Sequence, residues 1–173
     1  RNVDNEVLVF QSRHLMEEVA RRLHLDMSYK VKNGLRNNEL YTHAPVTVSF
    51  PEVEERQVIK VVVTPVDSVT VRLSDFSLAV SGEGVHSEEV LDVHLNDTVS
   101  TPIGPMVITP TLYYTEVFYG KPVNVVKSNL ESVIEGYRTR LKVSLASKTA
   151  TIINLVLDDV STARAEDILN MLI

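Results

Sequence analysis

Histidines, carboxylates and hydroxyls are plentiful in this sequence, and their spacing decides whether they can bind a metal or catalyse a reaction. No two histidines lie four residues apart, the spacing that places two imidazoles on one helical face to bind zinc. There is no cysteine, which excludes thiol catalysis, cysteine-based zinc sites and disulfides. The five histidines are His14, His24, His43, His86 and His94. We therefore expect no metal site.

Motifs for phosphate binding and nucleophilic catalysis are also missing from the sequence. A phosphate-binding loop requires Gly-x-x-x-x-Gly-Lys-Ser/Thr, and Gly82-Glu83-Gly84 predicts only a turn. No Gly-x-Ser-x-Gly elbow presents a serine nucleophile. The acidic runs at 52–55 and 88–89 predict exposed turns, because adjacent carboxylates on a strand point to opposite faces. We expect neither enzymatic activity nor a cofactor in this chain.

The aromatic cluster at residues 113–119 is the feature with a binding character. It contains Tyr113, Tyr114, Phe118 and Tyr119. Tyrosine rings can stack on the C–H faces of sugars while their hydroxyls bind the rim of a groove. The three tyrosines are therefore candidate glycan contacts. The alternative is a strand whose tyrosines shelter a sheet edge or pack over the core.

Three segments with helical periodicity must position these residues. The first helix is predicted over residues 4–24, capped by Asp4 or Asn5, with a stripe formed by Leu8, Leu15, Met16, Val19 and Leu23. The second follows a capping box made by Ser128 and Glu131. The third begins at Ser161 or Thr162, and its inward residues are Ala165, Ile168, Leu169 and Leu172.

Residues 27–126 have the pattern of strands and turns, and valine, 29 of the 173 residues, suits a pleated sheet. Strands are predicted at 46–50, 58–63, 68–73, 76–80, 90–95, 106–109 and 122–126, with a further pair at 141–145 and 150–157. The segment at 58–63 is more continuously apolar than the others, which predicts burial on both faces. The predicted fold class is α+β, with a largely antiparallel or mixed sheet, a β-rich middle and helices packed on one face. We expect a single domain over residues 1–173.

Charge and hydropathy narrow the choice of partners. The chain carries 17 basic and 23 acidic residues, a net charge of −6, and its isoelectric point is near 5.4. A chain without a basic stripe lacks the electrostatic footprint for a phosphate backbone, so we expect no nucleic-acid partner. No apolar run reaches the ~18–20 residues needed to cross a bilayer.

Four stretches of the sequence resemble one protein family. They are Asn5-Glu6-Val7-Leu8 running through Ser12-Arg13-His14-Leu15-Met16 to Arg22-Leu23-His24-Leu25; Glu39-Leu40-Tyr41 with Ala44-Pro45-Val46; Thr101-Pro102-Ile103-Gly104; and Ile152-Ile153 with Leu155, leading to Arg164-Ala165-Glu166-Asp167-Ile168-Leu169-Asn170. Their order and spacing resemble the periplasmic domain of polysaccharide co-polymerases, the bacterial chain-length determinants. The nearest resemblance is to the tyrosine-kinase-linked branch of Bacteroides-like bacteria. The sequence departs from the family at 161–163, where no proline starts the last helix.

The resemblance implies a non-catalytic periplasmic module of a capsular or exopolysaccharide assembly protein at the inner membrane. Such proteins form homo-oligomers that work with a polysaccharide polymerase, the export machinery and the nascent polysaccharide. The parent would be held in the membrane by segments outside these 173 residues, and in this branch it carries a cytoplasmic tyrosine autokinase domain. The first residue, Arg1, and the open apolar pattern at 168–173 lead us to expect a piece of a longer protein.

Two other interpretations use the same residues. A stand-alone carbohydrate-binding domain would use the tyrosines of residues 113–119. A hydrolase would need a nucleophile or metal constellation that the sequence motifs do not supply. Neighbouring segments in the parent gene distinguish these interpretations, because membrane spans and a kinase domain accompany only the first.

Overall fold

The computed structural model describes residues 12–145, 153–157 and 159–173. The chain divides into two compact units. One consists of Arg1–Asp26 together with Leu130–Ile173, and the other of Met27–Asn129. Helices dominate the first unit and strands the second, which confirms the predicted α+β class.

The helical unit contains three helices and a two-stranded antiparallel sheet among its described residues. The helices are α1 Arg13–Arg22, α2 Leu130–Arg140 and α3 Thr162–Leu172, and the strands are β11 Leu141–Leu145 and β12 Ile153–Leu157. These elements share one core, formed by Met16, Val19, Ala20, Leu25, Leu130, Ile134, Tyr137, Leu141, Leu157, Ala165, Ile168 and Leu172. The core therefore joins α1 to elements more than 100 residues further along the chain.

Helix α1 begins later than the periodicity predicts. Ser12, which the sequence pattern places inside the apolar stripe, is instead the N-cap, and its hydroxyl accepts a hydrogen bond from the Leu15 amide at 3.4 Å. Residues 4–11 of the predicted helix, including Leu8, lie outside the described residues. The helix ends at Arg22, and His24 just beyond its C-cap has a φ of 50°, which lets the Leu25 amide donate to the Ala20 carbonyl at 3.0 Å.

The β unit consists of two antiparallel sheets. The larger has the order β2-β1-β10-β4-β5-β6, with β7 also paired to β5, and the smaller has the order β3-β9-β8. The strands are β1 Met27–Asn33, β2 Arg36–Glu39, β3 Val46–Ser49, β4 Val58–Pro65, β5 Thr70–Val80, β6 Glu83–Ser87, β7 Leu91–His94, β8 Thr98–Val99, β9 Met106–Pro110 and β10 Val123–Lys127. Residues from both sheets form one buried core. A two-layer packing of this kind buries one face of each sheet.

Strand β4 corrects the expectation of burial on both faces. Ile59, Val61 and Val63 are buried, whereas Val62 is only partly covered and Lys60 is exposed. This is the alternation of a strand with one face in the core. Val58 and Val62, which lie on the same outer face as Lys60, conceal that alternation, because valine is also tolerated on an outer face.

The two strands predicted at 68–73 and 76–80 are one continuous strand, β5. The register slips opposite Val61, where β5 supplies one extra residue at Asp75, whose φ is 52°. Because of this bulge, Leu73 and Phe76 both face the core although they are three residues apart. The break in the period-two pattern marks a bulge rather than a turn.

Tight turns close the hairpins near the glycines that the sequence pattern marks. The turn between β5 and β6 is formed by Ser81 and Gly82, with φ values of 49° and 89°, and Glu83 already begins β6. The structure adds β1, β2, β6 and β8 to the predicted strands, and β6 includes two residues of the Gly82-Glu83-Gly84 segment that was predicted to be only a turn. Strand β2, Arg-Asn-Asn-Glu, has no apolar residue to reveal it.

Gly136 allows a test of how helix α2 packs. It lies inside α2, and a Cβ placed on it would meet no atom within 4 Å. We expect Gly136→Ala to raise the free energy of unfolding by about 0.5–1 kcal/mol, because alanine restricts the unfolded chain and favours the helix. Urea denaturation followed by circular dichroism measures this change.

Gly82→Ala is the matched control, because φ of 89° strains any residue with a Cβ. It should lower the unfolding free energy. A loss of stability in Gly136→Ala would contradict the described packing of α2.

Candidate functional site

The tyrosine segment is a loop between β9 and β10, not a strand, with a single 3-10 turn at Glu116–Phe118. Its start is fixed by Thr111, whose hydroxyl donates to the Ala44 carbonyl at 2.6 Å and whose amide donates to the Pro45 carbonyl at 2.9 Å. Its end is fixed by the Gly120 amide, which donates to the Pro65 carbonyl at 2.8 Å. The loop is therefore anchored at both ends to the β unit.

Tyr114 has a structural position. Its hydroxyl lies 2.7 Å from the Asp67 carbonyl oxygen and 3.2 Å from that of Thr70, so its proton is donated to the turn that precedes β5. Burial raises the pKa of Tyr114 to about 12, and the nearby Tyr119 and Asp67 add to the increase. The hydroxyl of Tyr114 therefore joins two loops, and its proton is already engaged in the fold and is not free to bond a ligand.

Tyr113 and Tyr119 have the exposure that a ligand requires. They are 43% and 37% exposed. The ring of Tyr113 packs against His43, with centroids 4.7 Å apart and planes tilted by 47°. The ring of Tyr119 lies 6.3 Å from that of Tyr114 at a tilt of 58°. Each exposed ring is thus supported by a second ring, which limits its movement.

Exposed aliphatic side chains surround these rings. Leu112 and Val117 of the same loop are exposed, as are Val66 and Val69 in the neighbouring turn. The Asp67 carboxylate accepts hydrogen bonds from the amides of Val69 and Thr70, at 3.0 and 2.8 Å. The Val69 bond is the main cause that lowers the pKa of Asp67, and this carboxylate shapes the turn. The loop end of the β unit therefore presents exposed aromatic and aliphatic side chains next to a turn that Asp67 stabilises.

The helical unit contains a buried ionic cluster that the sequence reasoning missed. Arg164 binds Asp159 with two hydrogen bonds, Nε to Oδ2 at 2.7 Å and Nη2 to Oδ1 at 2.5 Å. The Tyr137 hydroxyl donates to Oδ2 at 3.0 Å, and the Ser161 amide lies 3.4 Å from Oδ1. The Asp159 side chain is fully buried and that of Arg164 is 10% exposed. Arginine five residues after aspartate, across a helix N-cap serine, was the available signal.

The electrostatics of this cluster match its geometry. Burial alone would raise the pKa of Asp159, but the hydrogen bonds and charge of Arg164 outweigh it and hold that pKa below the usual range. Burial raises the pKa of Tyr137 to about 12. The Arg140 guanidinium lies 4.1 Å from the centre of the Tyr137 ring. Because guanidinium, phenol and amide groups already bond the carboxylate, it joins α2 to α3 and has no geometry for general-base catalysis.

Lys127 is buried in the β unit for a similar reason. Its ammonium donates to the carbonyls of Glu54, Glu55 and Gln57 at 3.0, 2.7 and 2.8 Å. Three donors and three backbone acceptors compensate the removal of the charge from water. The lysine organises the 54–57 turn.

Within residues 12–145, 153–157 and 159–173, no group of three or more histidine, aspartate or glutamate side chains is arranged to hold a metal ion. None of the described helices has both the length and the hydropathy of a membrane span. Comparison with known proteins adds no identity, since no family model and no curated protein matches the sequence.

The Tyr137 contact predicts how stability depends on alkaline pH. Its folded pKa of about 12 lies above the ordinary value of ~10, so its contribution is complete below pH ~10 and is lost as the pH rises through 12. We expect Tyr137→Phe to show a smaller loss of unfolding free energy between these pH values. Urea denaturation at a series of pH values measures the slope.

Tyr114→Phe is the companion variant in the β unit, since the pKa of Tyr114 is also raised to about 12. Tyr114→Phe should likewise make the unfolding free energy fall less steeply between pH 10 and 12, because the contribution of Tyr114 is removed while that of Tyr137 remains. A Tyr137→Phe curve parallel to that of the unsubstituted chain would show that the Tyr137 phenol is not buried in the fold.

Proposed function

We propose that this chain is the non-catalytic periplasmic module of a bacterial inner-membrane protein that regulates the chain length and export of capsular or exopolysaccharide. The parent protein would be a homo-oligomer and would carry a cytoplasmic tyrosine autokinase domain. Its partners would be the polysaccharide polymerase, the export machinery and the growing glycan. The proposal rests on the family resemblance together with the structural roles of the residues that carry it.

Glu39 illustrates such a role. This residue belongs to the Glu-Leu-Tyr stretch of the resemblance, and one carboxylate oxygen accepts the amides of Tyr29 and Tyr41, both at 3.0 Å. The other oxygen accepts the Ser28 hydroxyl at 2.7 Å. The backbone of Tyr41 has a φ of 50°, an unusual conformation for a residue with a side chain. Glu39 thus holds the chain in the bend that leads from β2 toward β3.

Thr101 and Gly104 have an equivalent role in the Thr-Pro-x-Gly stretch. The Thr101 hydroxyl donates to the Gly104 carbonyl at 2.5 Å and accepts the Ile103 amide at 3.2 Å. Gly104 has a φ of 101°, which favours glycine. Ile103 is buried in the core of the β unit. The stretch therefore forms a turn and directs the side chain of Ile103 into the core.

The single observation that supports the proposal most strongly is shared by these motifs. One polar residue from each of three motifs, Glu39, Thr101 and Arg164, bonds to backbone groups or to a buried carboxylate of the fold. Motif residues that stabilise the fold are expected in a protein that acts by assembling with other copies and by contacting partners. An enzyme would instead direct such residues toward a cleft.

The second candidate is a stand-alone carbohydrate-binding domain. Tyr113 and Tyr119 support it, because both rings are exposed and each rests on another ring. Supported aromatic faces are suited to stacking on sugar rings. Tyr114 fits this function less well, because its hydroxyl bonds the 67–70 turn. Glycan contact at the loop end is also compatible with the first function.

The chain-length function is tested in the bacterium that carries the gene. We expect deletion of the parent gene to change the length distribution of the surface polysaccharide on a gel. The full-length parent carrying Gly136→Ala should restore the distribution, whereas Asp159→Ala should not, because breaking the buried ion pair between Asp159 and Arg164 costs ~3–5 kcal/mol. Immunoblots of the parent protein give its abundance. An unchanged length distribution after deletion would rule out the function.

The glycan contact is tested by calorimetry with oligosaccharides cut from the same polysaccharide. Replacing both Tyr113 and Tyr119 by alanine should weaken binding about tenfold, from the loss of ~1.5 kcal/mol of stacking. Leu112→Ala is the control, since this residue is exposed in the same loop but has no ring. Equal affinity of the double variant and the control would place the glycan elsewhere.

A further inference from the structure

The larger sheet ends in two edges of different composition. Strand β2 forms one edge, and β6 and β7, which both pair with β5, form the other. Within the described ranges, no strand pairs with the outer side of β2 or of β6. An unpaired edge offers a row of amide and carbonyl groups that a further strand can bind.

The segments that form the two ends of the larger sheet differ in net charge, although β2 itself carries one basic and one acidic residue, Arg36 and Glu39. The β1–β2 hairpin, residues 27–39, has three basic residues and one acidic residue, a net charge of +2. Residues 83–94, which contain β6 and β7, have four acidic residues and no lysine or arginine, a net charge of −4. The basic residues are Lys30, Lys32 and Arg36, and the acidic residues of the second edge are Glu83, Glu88, Glu89 and Asp92.

Most of these charges face solvent. Arg72 of β5 neutralises Asp92 through hydrogen bonds of 2.8 and 3.1 Å. Arg36 on one edge and Glu83, Glu88 and Glu89 on the other are exposed. Exposed charges on or beside an unpaired edge repel an edge of like sign and attract one of opposite sign.

The strand directions are compatible with contact between the two edges. Every pairing from β2 to β6 is antiparallel, so β2 and β6 run in opposite directions. A second copy placed in the same orientation would therefore continue the sheet as an antiparallel pair. In this arrangement Arg36, at the start of β2, comes opposite the end of β6, after which Glu88 and Glu89 follow.

We propose that the β2 edge of one chain binds the β6 edge of a second copy of the same chain, as a head-to-tail extension of the larger sheet. Two β6 edges repel one another, whereas Arg36 of β2 attracts the acidic residues at and after β6, so the pairing of β2 with β6 is favoured. A head-to-tail contact leaves one edge free on each end, and successive contacts close into a ring or extend as a filament. The inference names the contact surface for the homo-oligomer of the proposed function and rests on that function.

The contact is expected to be weak in the separate chain. Strands β2 and β6 have four and five residues, so the area they bury is below the ~1,200 Å² of a stable complex. The attraction between exposed charges is screened over ~8–10 Å at physiological salt. Association should therefore be favoured by high protein concentration and low salt.

Sedimentation velocity of the purified chain tests the contact. At low ionic strength, about 10 mM, we expect an average mass that rises with protein concentration, and about 1 M salt should suppress this rise. Arg36→Glu should weaken association about tenfold, and so should the pair Glu88→Lys and Glu89→Lys. A mixture of these two variants should associate like the unsubstituted chain, because the charges become complementary again.

Control variants change the net charge equally but lie away from both edges. Arg56→Glu matches Arg36→Glu, and the pair Glu52→Lys and Glu54→Lys matches the change on β6, since all three residues are exposed before β4. The controls should associate like the unsubstituted chain. Circular dichroism of each variant verifies that it is folded.

The outcomes separate the contact from the function. Association that the edge variants leave unchanged, or that the mixture does not restore, would overturn the edge contact while the chain-length function could still hold. A chain that stays monomeric at all concentrations and at low salt would also overturn it. If the edge variants behave as expected and deletion of the parent gene leaves the polysaccharide unchanged, the contact holds and the proposed function fails.

Discussion

An antiparallel sheet that does not close into a barrel must have two edges, and this constraint organises the β unit. The central strands β10 and β4 bury their inner valines almost completely, with Val61, Val63, Val123 and Val125 between 0% and 2% exposed. Apolar burial of this extent supplies the main stabilisation of the sheet. The outermost strands lack it, and β2 and β6 are short, polar and charged. Polar edges limit indiscriminate pairing, and a difference in net charge between the two ends of the sheet favours one partner over others.

Buried charges in both units follow a common rule. Lys127 gives three hydrogen bonds to backbone carbonyls, and Asp159 accepts bonds from a guanidinium, a phenol and an amide. A buried charge without partners would cost several kcal/mol, and these partners remove most of that cost. Each charge thereby fixes the geometry of elements distant in sequence. The residues with the most unusual environments are therefore structural, which agrees with a proposal of assembly and not of catalysis.

The tyrosine loop and the sheet edges provide two separate surfaces on the β unit. The loop end offers the supported rings of Tyr113 and Tyr119 among exposed aliphatic residues. The edges offer charge and unpaired backbone groups. A protein that acts on a growing polymer as an oligomer needs contacts of both kinds, one for the polymer and one for its neighbours. We propose that the loop contacts the polymer and that the sheet edges contact the neighbouring subunits.

The sequence by itself determined the α+β class, the three helices and most strands, because period 3.6 and period 2 are local properties that binary patterning records. It did not reveal β2, which is polar throughout, or the continuity of β5 across the bulge at Asp75. Because the three tyrosines are close in sequence, they were predicted to share one role as glycan contacts. Only the tertiary structure shows that the hydroxyl of Tyr114 bonds a turn of the fold, whereas the rings of Tyr113 and Tyr119 are exposed. The Asp159–Arg164–Tyr137 cluster and the different net charges of the two ends of the larger sheet likewise emerge only from the fold. The physical reason is that burial, hydrogen-bond partners and strand order depend on residues far apart in the chain, which no local pattern encodes.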